Sequence, residues 1–305
     1  VQLLYHSKVR PLPSQPVGQL VAALGQGLRA KPLEELELGS DLLQTLKQHQ
    51  PSGLAESPLE IDYDFRIVSL GATRIWHQGK EIPSSQWESI RSRWVFIYLL
   101  SRKGRWVSNE KLRDLFWPDV DADKAQRSLL TAIYRCRKAL GDPEVVIRNE
   151  RGYLLNPERT IWWDIDQIHK LRRQAKAMQE SGQSSTSVLE ELERLCQGRF
   201  AEDCNEDWVE FVRSDVEQCI IECITSLAEQ YLETSPELAE QRARRVLRME
   251  STDERAATVL LKALWAQGKR DDTIKFYRDF SSRMERELCL PTSTDLVKLY
   301  LQLTQ

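Results

Sequence analysis

One segment constrains the fold of this 305-residue chain more than any other. Between Lys124 and Leu140 it contains five Lys or Arg and no Asp or Glu. At about 100° per residue, an apolar stripe forms on one side of a helix from Leu129, Ile133, Cys136 and Leu140. The opposite side carries Lys124, Arg127, Thr131, Tyr134, Arg135 and Lys138, with Ser128 at its edge and Arg137 on the flank. Such a helix suits the major groove of DNA, whereas a merely solvated basic face is the plainer alternative.

The elements around this basic helix favour DNA binding. Residue alternation, helical spacing and turn residues predict, in order, strand 61–70, strand 73–77, helix 84–104, helix 107–118, the basic helix and hairpin 145–155. The short helix has Ser108 or Asn109 as its cap, and the hairpin carries Arg148 and Arg151 at its tip. Strands, three helices and a closing hairpin are the order of a winged helix-turn-helix.

The chain beyond Asp164 is predicted to be helical throughout. Inward positions are expected at Ile90 on the first helix and at Phe211 on a long helix over 206–231. The end of the chain resembles a tetratricopeptide-like helix pair, with Ala256, Leu260, Ala263, Leu264, Gly268 and Tyr277 at the repeat positions. The expected fold class is therefore mainly α with a small β component: a winged helix-turn-helix plus an all-α, tetratricopeptide-like domain.

Charge follows the expected domains. The first 60 residues, rich in Pro, Gly and Gln, are predicted to be a partly helical segment and linker of unknown function. Residues 61–157 hold 17 Lys/Arg against 12 Asp/Glu, and residues 158–305 hold 21 against 28, in a chain of formal net charge −3. We expect a DNA-binding domain over 61–158 and an acidic helical domain over 159–305.

Composition limits the other classes of function. No apolar run approaches the ~18 residues of a membrane span, and the six cysteines lack metal-site spacing, so free thiols, no metal and a cytoplasmic location are expected. A D-x-D-x-D run at Asp119, Asp121 and Asp123 lacks the Gly and the final Glu of a calcium loop. No catalytic arrangement or cofactor motif stands out, and an enzyme is not predicted. The first residue is Val rather than Met, which fits a piece of a larger protein.

Two phrases carry a family resemblance. The segment EKLRDLFWPDVDADKAQRSLLTAIYRCRKALGD, with its LFWPD and RKALGD phrases, resembles the OmpR/PhoB-type winged helix of SARP (antibiotic regulatory protein) transcriptional activators. The stretches WWDIDQIHKL, LERLCQGRF and STDERAATVLLKALWAQGKRDDTIKFY resemble the bacterial transcriptional activator domain that accompanies it. The resemblance covers residues from about 65 to 305. It departs from the family at Cys136, where Leu is usual, and at Glu150 in the wing.

The resemblance implies a transcriptional activator that binds promoter direct repeats in double-stranded DNA, often as a side-by-side homodimer, and recruits RNA polymerase. It implies DNA contacts from the recognition helix, the first helix and the wing: Lys124, Arg127, Ser128, Thr131, Arg135, Lys138, Arg91, Arg93, Arg148 and Arg151. It implies that the loop presented to polymerase contains Trp117, Asp119, Asp121 and Asp123. No cofactor is implied.

Two other interpretations stay open at this point. In the first, the chain is a protein-interaction scaffold in which the helical domain binds a partner and the winged helix has no affinity for DNA. In the second, which is compatible with DNA binding, the chain is the output part of a larger sensor or ATPase regulator.

Overall fold

The computed structural model describes residues 63–304, which lie within one compact unit. The strands are β1 (Phe65–Val68), β2 (Arg74–His77), β3 (Lys80–Ile82), β4 (Val146–Asn149), β5 (Gly152–Leu155) and β6 (Ile161–Trp163). The α-helices are α1 (Ile90–Ser101), α2 (Asn109–Phe116), α3 (Ala122–Leu140), α4 (Asp164–Glu180), α5 (Thr186–Leu195), α6 (Trp208–Tyr231), α7 (Pro236–Met249), α8 (Glu254–Ala266), α9 (Arg270–Leu288) and α10 (Thr294–Thr304). The predicted fold class, mainly α with a small β component, is confirmed. The predictions for residues 1–60 lie outside the described residues.

Local sequence explains the boundaries of the helix-turn-helix. The Ser108 side chain accepts a hydrogen bond from the Lys111 amide at 3.1 Å and caps α2, as one of the two predicted caps. The Asp121 side chain does the same for the Asp123 amide at the start of α3. The helix α3 ends at Gly141, whose φ of +69° is a left-handed conformation that glycine adopts without strain.

Three details of the helix predictions are wrong. The helix α1 begins at Ile90 rather than near residue 84, because Ser84–Gln86 form a separate 3₁₀ turn. Ile90, the first residue of α1, is 57% exposed instead of inward. Phe211, near the start of α6, is 67% exposed although the nearby Trp208 and Val209 are buried. Helical spacing gave the correct helices but not the facing of these two residues.

The first sheet joins the two halves of the chain. Its strand order is β3-β2-β1-β6, and β6 pairs in parallel with β1 although almost a hundred residues separate them. The residue after β6, Asp164, is buried and accepts hydrogen bonds from the amides of Ser69 and Leu70, both at 2.7 Å. The domain boundary expected between residues 158 and 159 stays a prediction. The strand β6 lies after this boundary but pairs with β1, which lies before it.

The segment between α5 and α6 also docks on the first sheet. The Gly71 amide donates to the Arg199 carbonyl at 2.8 Å, and the Ala201 amide donates to the Ser69 carbonyl at 2.6 Å. At Gly198 the two backbones lie so close that an added Cβ would be 2.9 Å from the Gly71 Cα. Because of these contacts, one continuous apolar core runs from the sheet through α1, α3 and α6.

The C-terminal helices pack against one another in succession. The helix α8 contributes Leu260 and Leu264 to a second apolar cluster with α7 and α6. Further along the chain, Phe280 and Met284 of α9 form a third cluster with Leu296 of α10. The six cysteines, all of which lie in the described range, are free, as predicted. Among the described residues, no helix combines the length and apolar character needed to cross a membrane.

Candidate nucleic-acid interface

The helix α3 has the two faces that its sequence predicts. The apolar stripe is closed to solvent, with exposures of 0 to 3% at Leu129, Ile133, Cys136 and Leu140. Burial raises the pKa of the Cys136 thiol, which therefore stays neutral. On the other side, the exposed residues are Lys124, Arg127, Leu130, Thr131, Tyr134 and Lys138, with Ser128 and Arg135 half-buried. The buried stripe holds the helix against α1 and α2, so the cationic face points outward.

The N-terminal half of the exposed face makes only local contacts. The Arg127 guanidinium donates to the Asp123 carbonyl at 3.3 Å, and the Thr131 hydroxyl donates to the Arg127 carbonyl at 2.9 Å. Both bonds lie on the exposed side of α3, where a nucleic acid can replace them. The residues at the start of a recognition helix are also those that normally reach base edges.

The C-terminal half is engaged with the rest of the fold. Arg135 and Lys138 both form ion pairs with Glu88, at 3.4 and 2.6 Å. Arg137 donates twice to the Val146 carbonyl, at 2.6 and 3.1 Å, and so ties α3 to β4 of the wing. The flank position that the helical spacing gives Arg137 fits this structural contact. The sequence does not predict the role of Glu88, because nothing in the residues around it indicates that it faces α3.

The wing presents its arginines to solvent. Arg148 and Arg151 are exposed, and the Arg148 guanidinium lies 5.7 Å from the ring centroid of Tyr153. The turn between them is set by Asn149, whose side chain accepts from the Arg151 amide at 2.7 Å. Gly152 has a φ of +132° and lies against the Val107 backbone, where no other residue fits. The tip is therefore held in one conformation with its cations free to meet an anion.

One predicted DNA contact on the first helix is wrong. Arg93 is 4% exposed, and its guanidinium donates to Asp203 at 3.0 Å and to the Thr73 carbonyl. It holds the segment before α6 against the first sheet, so it does not face a nucleic acid. Arg91 keeps an exposed side chain, which lies over the Trp117 ring at 5.7 Å and 3.7 Å from Glu206.

The predicted polymerase loop divides into an anchor and an acidic surface. Trp117 is buried, with its ring 6.0 Å from that of Phe116. The prediction that its side chain faces a partner is therefore wrong. Asp119, Asp121 and Asp123 are exposed. The neighbouring ring of Phe116 lies 6.3 Å from Trp208 at the start of α6, which fixes the loop beside the helical part.

Comparison with known families identifies the class of protein. Residues 91–155 match the family "Transcriptional regulatory protein, C terminal", and residues 163–304 match the "Bacterial transcriptional activator domain". The chain therefore carries the domain pair of SARP-type bacterial transcriptional regulators, an OmpR/PhoB-type DNA-binding domain followed by a bacterial transcriptional activator domain. These families are transcriptional regulators and not enzymes, in agreement with the sequence.

Particular relatives agree with this class. The chain is 24% identical over 242 residues to regulatory protein AfsR of Streptomyces griseus, a match that covers 77% of this chain and 24% of that protein. The chain thus spans about a quarter of the length of the curated relative it matches. Its fold is similar to that of Mycobacterium tuberculosis EmbR, solved in complex with a low-affinity phosphopeptide, with a TM-score of 0.69 and 19% identity. This likeness covers 79% of the present chain and 65% of the EmbR chain.

Proposed function

We propose that this protein is a sequence-specific transcriptional activator that places α3 in the major groove of promoter DNA. The observation that carries the proposal is the division of α3 into a closed apolar stripe and an outward cationic face. Arg and Lys are the side chains that contact phosphates and guanine edges, and short hydroxyl side chains permit close approach. Base contacts are assigned to four side chains of this face that have no charged partner among the described residues: Lys124, Arg127, Ser128 and Thr131.

Phosphate contacts are assigned to the surrounding cations. Arg148 and Arg151 at the wing tip and Arg91 at the start of α1 are exposed beside the helix-turn-helix. Arg135 and Lys138 join them when they leave Glu88. Each phosphate that a cation neutralises releases counterions, so affinity falls as the salt concentration rises, with a logarithmic slope of about −0.9 per contact.

The proposal extends to the wider assembly. The exposed acidic loop Asp119–Asp123 and the matched families support recruitment of RNA polymerase. The matched families also support side-by-side homodimers on direct repeats and a cytoplasmic location. The match to a quarter of a longer regulator supports a role for this chain as the output part of a larger regulator. The scaffold interpretation, in which the helical domain binds a partner and the winged helix has no DNA affinity, is the competing outcome of the test below.

The test begins with fragments of the source genome selected on the purified protein, followed by salt titrations of binding. Arg127→Ala is expected to weaken binding to a selected site by about 1–3 kcal/mol if Arg127 reads a base. Lys176→Ala is the matched control, since Lys176 is an exposed cation of α4, 3.9 Å from Glu180 and outside the winged helix.

Two results would contradict the proposal. Unchanged binding in the double variant Arg127→Ala, Arg135→Ala would remove α3 as the recognition helix. Absence of any salt-dependent retention by the unaltered protein would favour the scaffold interpretation instead.

A further inference from the structure

A single carboxylate outside α3 holds both cations of its C-terminal half. Glu88 accepts a hydrogen bond from the Lys138 ammonium at 2.6 Å and lies 3.4 Å from the Arg135 guanidinium. Hydrogen bonding to Lys138 lowers the pKa of Glu88, and the positive charges of Lys138 and Arg135 act in the same direction. Glu88 is therefore charged at neutral pH, and this group of three side chains has a net charge of one rather than two.

The position of Glu88 is fixed by its two neighbours on the N-terminal side. The Gln86 side-chain amide donates to the Ala139 carbonyl at 2.8 Å, which attaches the turn before α1 directly to the end of α3. Trp87 is buried, with its ring 6.4 Å from that of Phe96. Because Gln86 is bonded to the end of α3 and Trp87 is buried, the backbone at Glu88 is held beside the cationic face.

We propose that Glu88 tunes the DNA affinity of this protein by competing with phosphate for Arg135 and Lys138, and this inference rests on the proposed function. Each cation has the same two anionic choices, the carboxylate beside it or a phosphate of the duplex. An exposed ion pair is weak enough to exchange, so Glu88 attenuates binding without abolishing it. Glu88 touches no nucleic acid in this scheme and acts as a positioning residue, through the two cations.

The division of α3 gives this arrangement a consequence for recognition. The ion pairs hold Arg135 and Lys138 toward the turn before α1, whereas Lys124, Arg127 and Thr131 have no charged partner within residues 63–304. Affinity that comes from charge alone is independent of sequence and supplies nearly all non-specific binding. When Glu88 neutralises part of that charge, a larger fraction of the binding free energy comes from the residues that reach base edges.

The test measures binding of the full chain to a random-sequence 30-base-pair duplex and to a selected site across a salt titration. Glu88→Gln keeps the shape of the side chain and removes its charge. We expect it to tighten binding to the random duplex about three- to tenfold near 0.1 M salt and to steepen the logarithmic salt slope by about one. Glu88→Asp keeps the charge, and we expect it to bind within about twofold of the unaltered protein.

Two further variants separate the ion pairs from a general charge effect. Glu222→Gln makes the same change in net charge at the ion pair with Arg172, outside the winged helix, and is expected to leave binding unchanged. In an Arg135→Gln, Lys138→Gln background, Glu88→Gln is expected to have no further effect. Far-UV circular dichroism of each variant confirms that it is folded.

The outcomes are distinguishable. If the unaltered protein shows no salt-dependent DNA binding, the proposed function fails. If the unaltered protein binds and Glu88→Gln changes the affinity by less than twofold, only the role of Glu88 fails. An equal gain from Glu88→Gln in the Arg135→Gln, Lys138→Gln background would also overturn it, because the effect would not pass through those cations.

Discussion

Substitution of Asp164 tests how the two halves of the chain are joined. Its carboxylate is 2% exposed and accepts from the amides of Ser69 and Leu70 at 2.7 Å, from the Ser69 hydroxyl at 2.8 Å and from the Ile165 amide at 3.0 Å. Asp164→Ala leaves the two amides of the first sheet without an acceptor in a site closed to water. A buried donor left unsatisfied costs about 1–3 kcal/mol, so two of them cost about 2–6 kcal/mol.

The burial of the charge offsets part of this loss. Burial raises the pKa of Asp164, and the hydrogen bonds from Leu70 and Ser69 oppose the rise without cancelling it. The ionised carboxylate is thus destabilised by its surroundings, and removing it recovers some free energy. The expected net loss for Asp164→Ala is about 3 kcal/mol, in the lower half of the range. Asp164→Asn retains one acceptor oxygen and is expected to lose about half as much.

The assay is urea unfolding followed by far-UV circular dichroism and tryptophan fluorescence, compared at the same pH. The control is Asp166→Ala, two residues along the chain, whose exposed ion pair with Lys103 is worth at most about 1 kcal/mol. If Asp164→Ala loses less than about 1 kcal/mol, or no more than Asp166→Ala, the hydrogen bonds of Asp164 do not hold the junction and the reasoning is refuted.

Three further perturbations have expected outcomes. Burial opposes ionisation of Glu240, yet hydrogen bonds from Lys269 and Arg244 lower its pKa to about 2. The stabilisation from the ionised carboxylate is therefore full above about pH 4.5 and is lost as the pH falls toward 2. In urea unfolding, Glu240→Gln should reduce the change in stability over that pH interval by about 2 kcal/mol. Gly152→Ala places a Cβ 2.0 Å from the Val107 carbonyl oxygen, so circular dichroism melting should show a loss of at least about 3 kcal/mol. Leu129→Ala creates a cavity beneath α3 and should cost about 2–5 kcal/mol in the same assay.

The elements that local sequence determines could be predicted, and α3 is the clearest example. Its stop at Gly141, its apolar stripe and its cationic face all follow from residue types at helical spacing. The cap at Ser108 and the wing hairpin likewise depend on residues within a few positions of one another. The fold class followed from this order, because few arrangements bury the apolar faces of such elements.

The parts that could not be predicted depend on contacts between distant residues. The exposed-looking Arg93 becomes buried only because Asp203, 110 residues away, lies opposite it. Glu88 is 50 residues from Lys138, and β6 is nearly a hundred residues from β1. Charge and periodicity within one window hold no information about such partners. The sequence therefore predicts a DNA contact for Arg93, whose partner in the structure is a carboxylate of the same chain.

The junction makes the winged helix and the helical part move together. Separating them would break the pairing of β6 with β1 and the docking of Ala201 on Ser69, and would expose Phe200 and Trp208, which are 0% and 7% exposed. Full exposure of two large apolar side chains would cost at most about 3–6 kcal/mol. This is a substantial part of the stability of a typical domain. A partner bound to the helical part is consequently held at a fixed position relative to α3, and under the proposed function the DNA site bound by α3 would set the position of that partner.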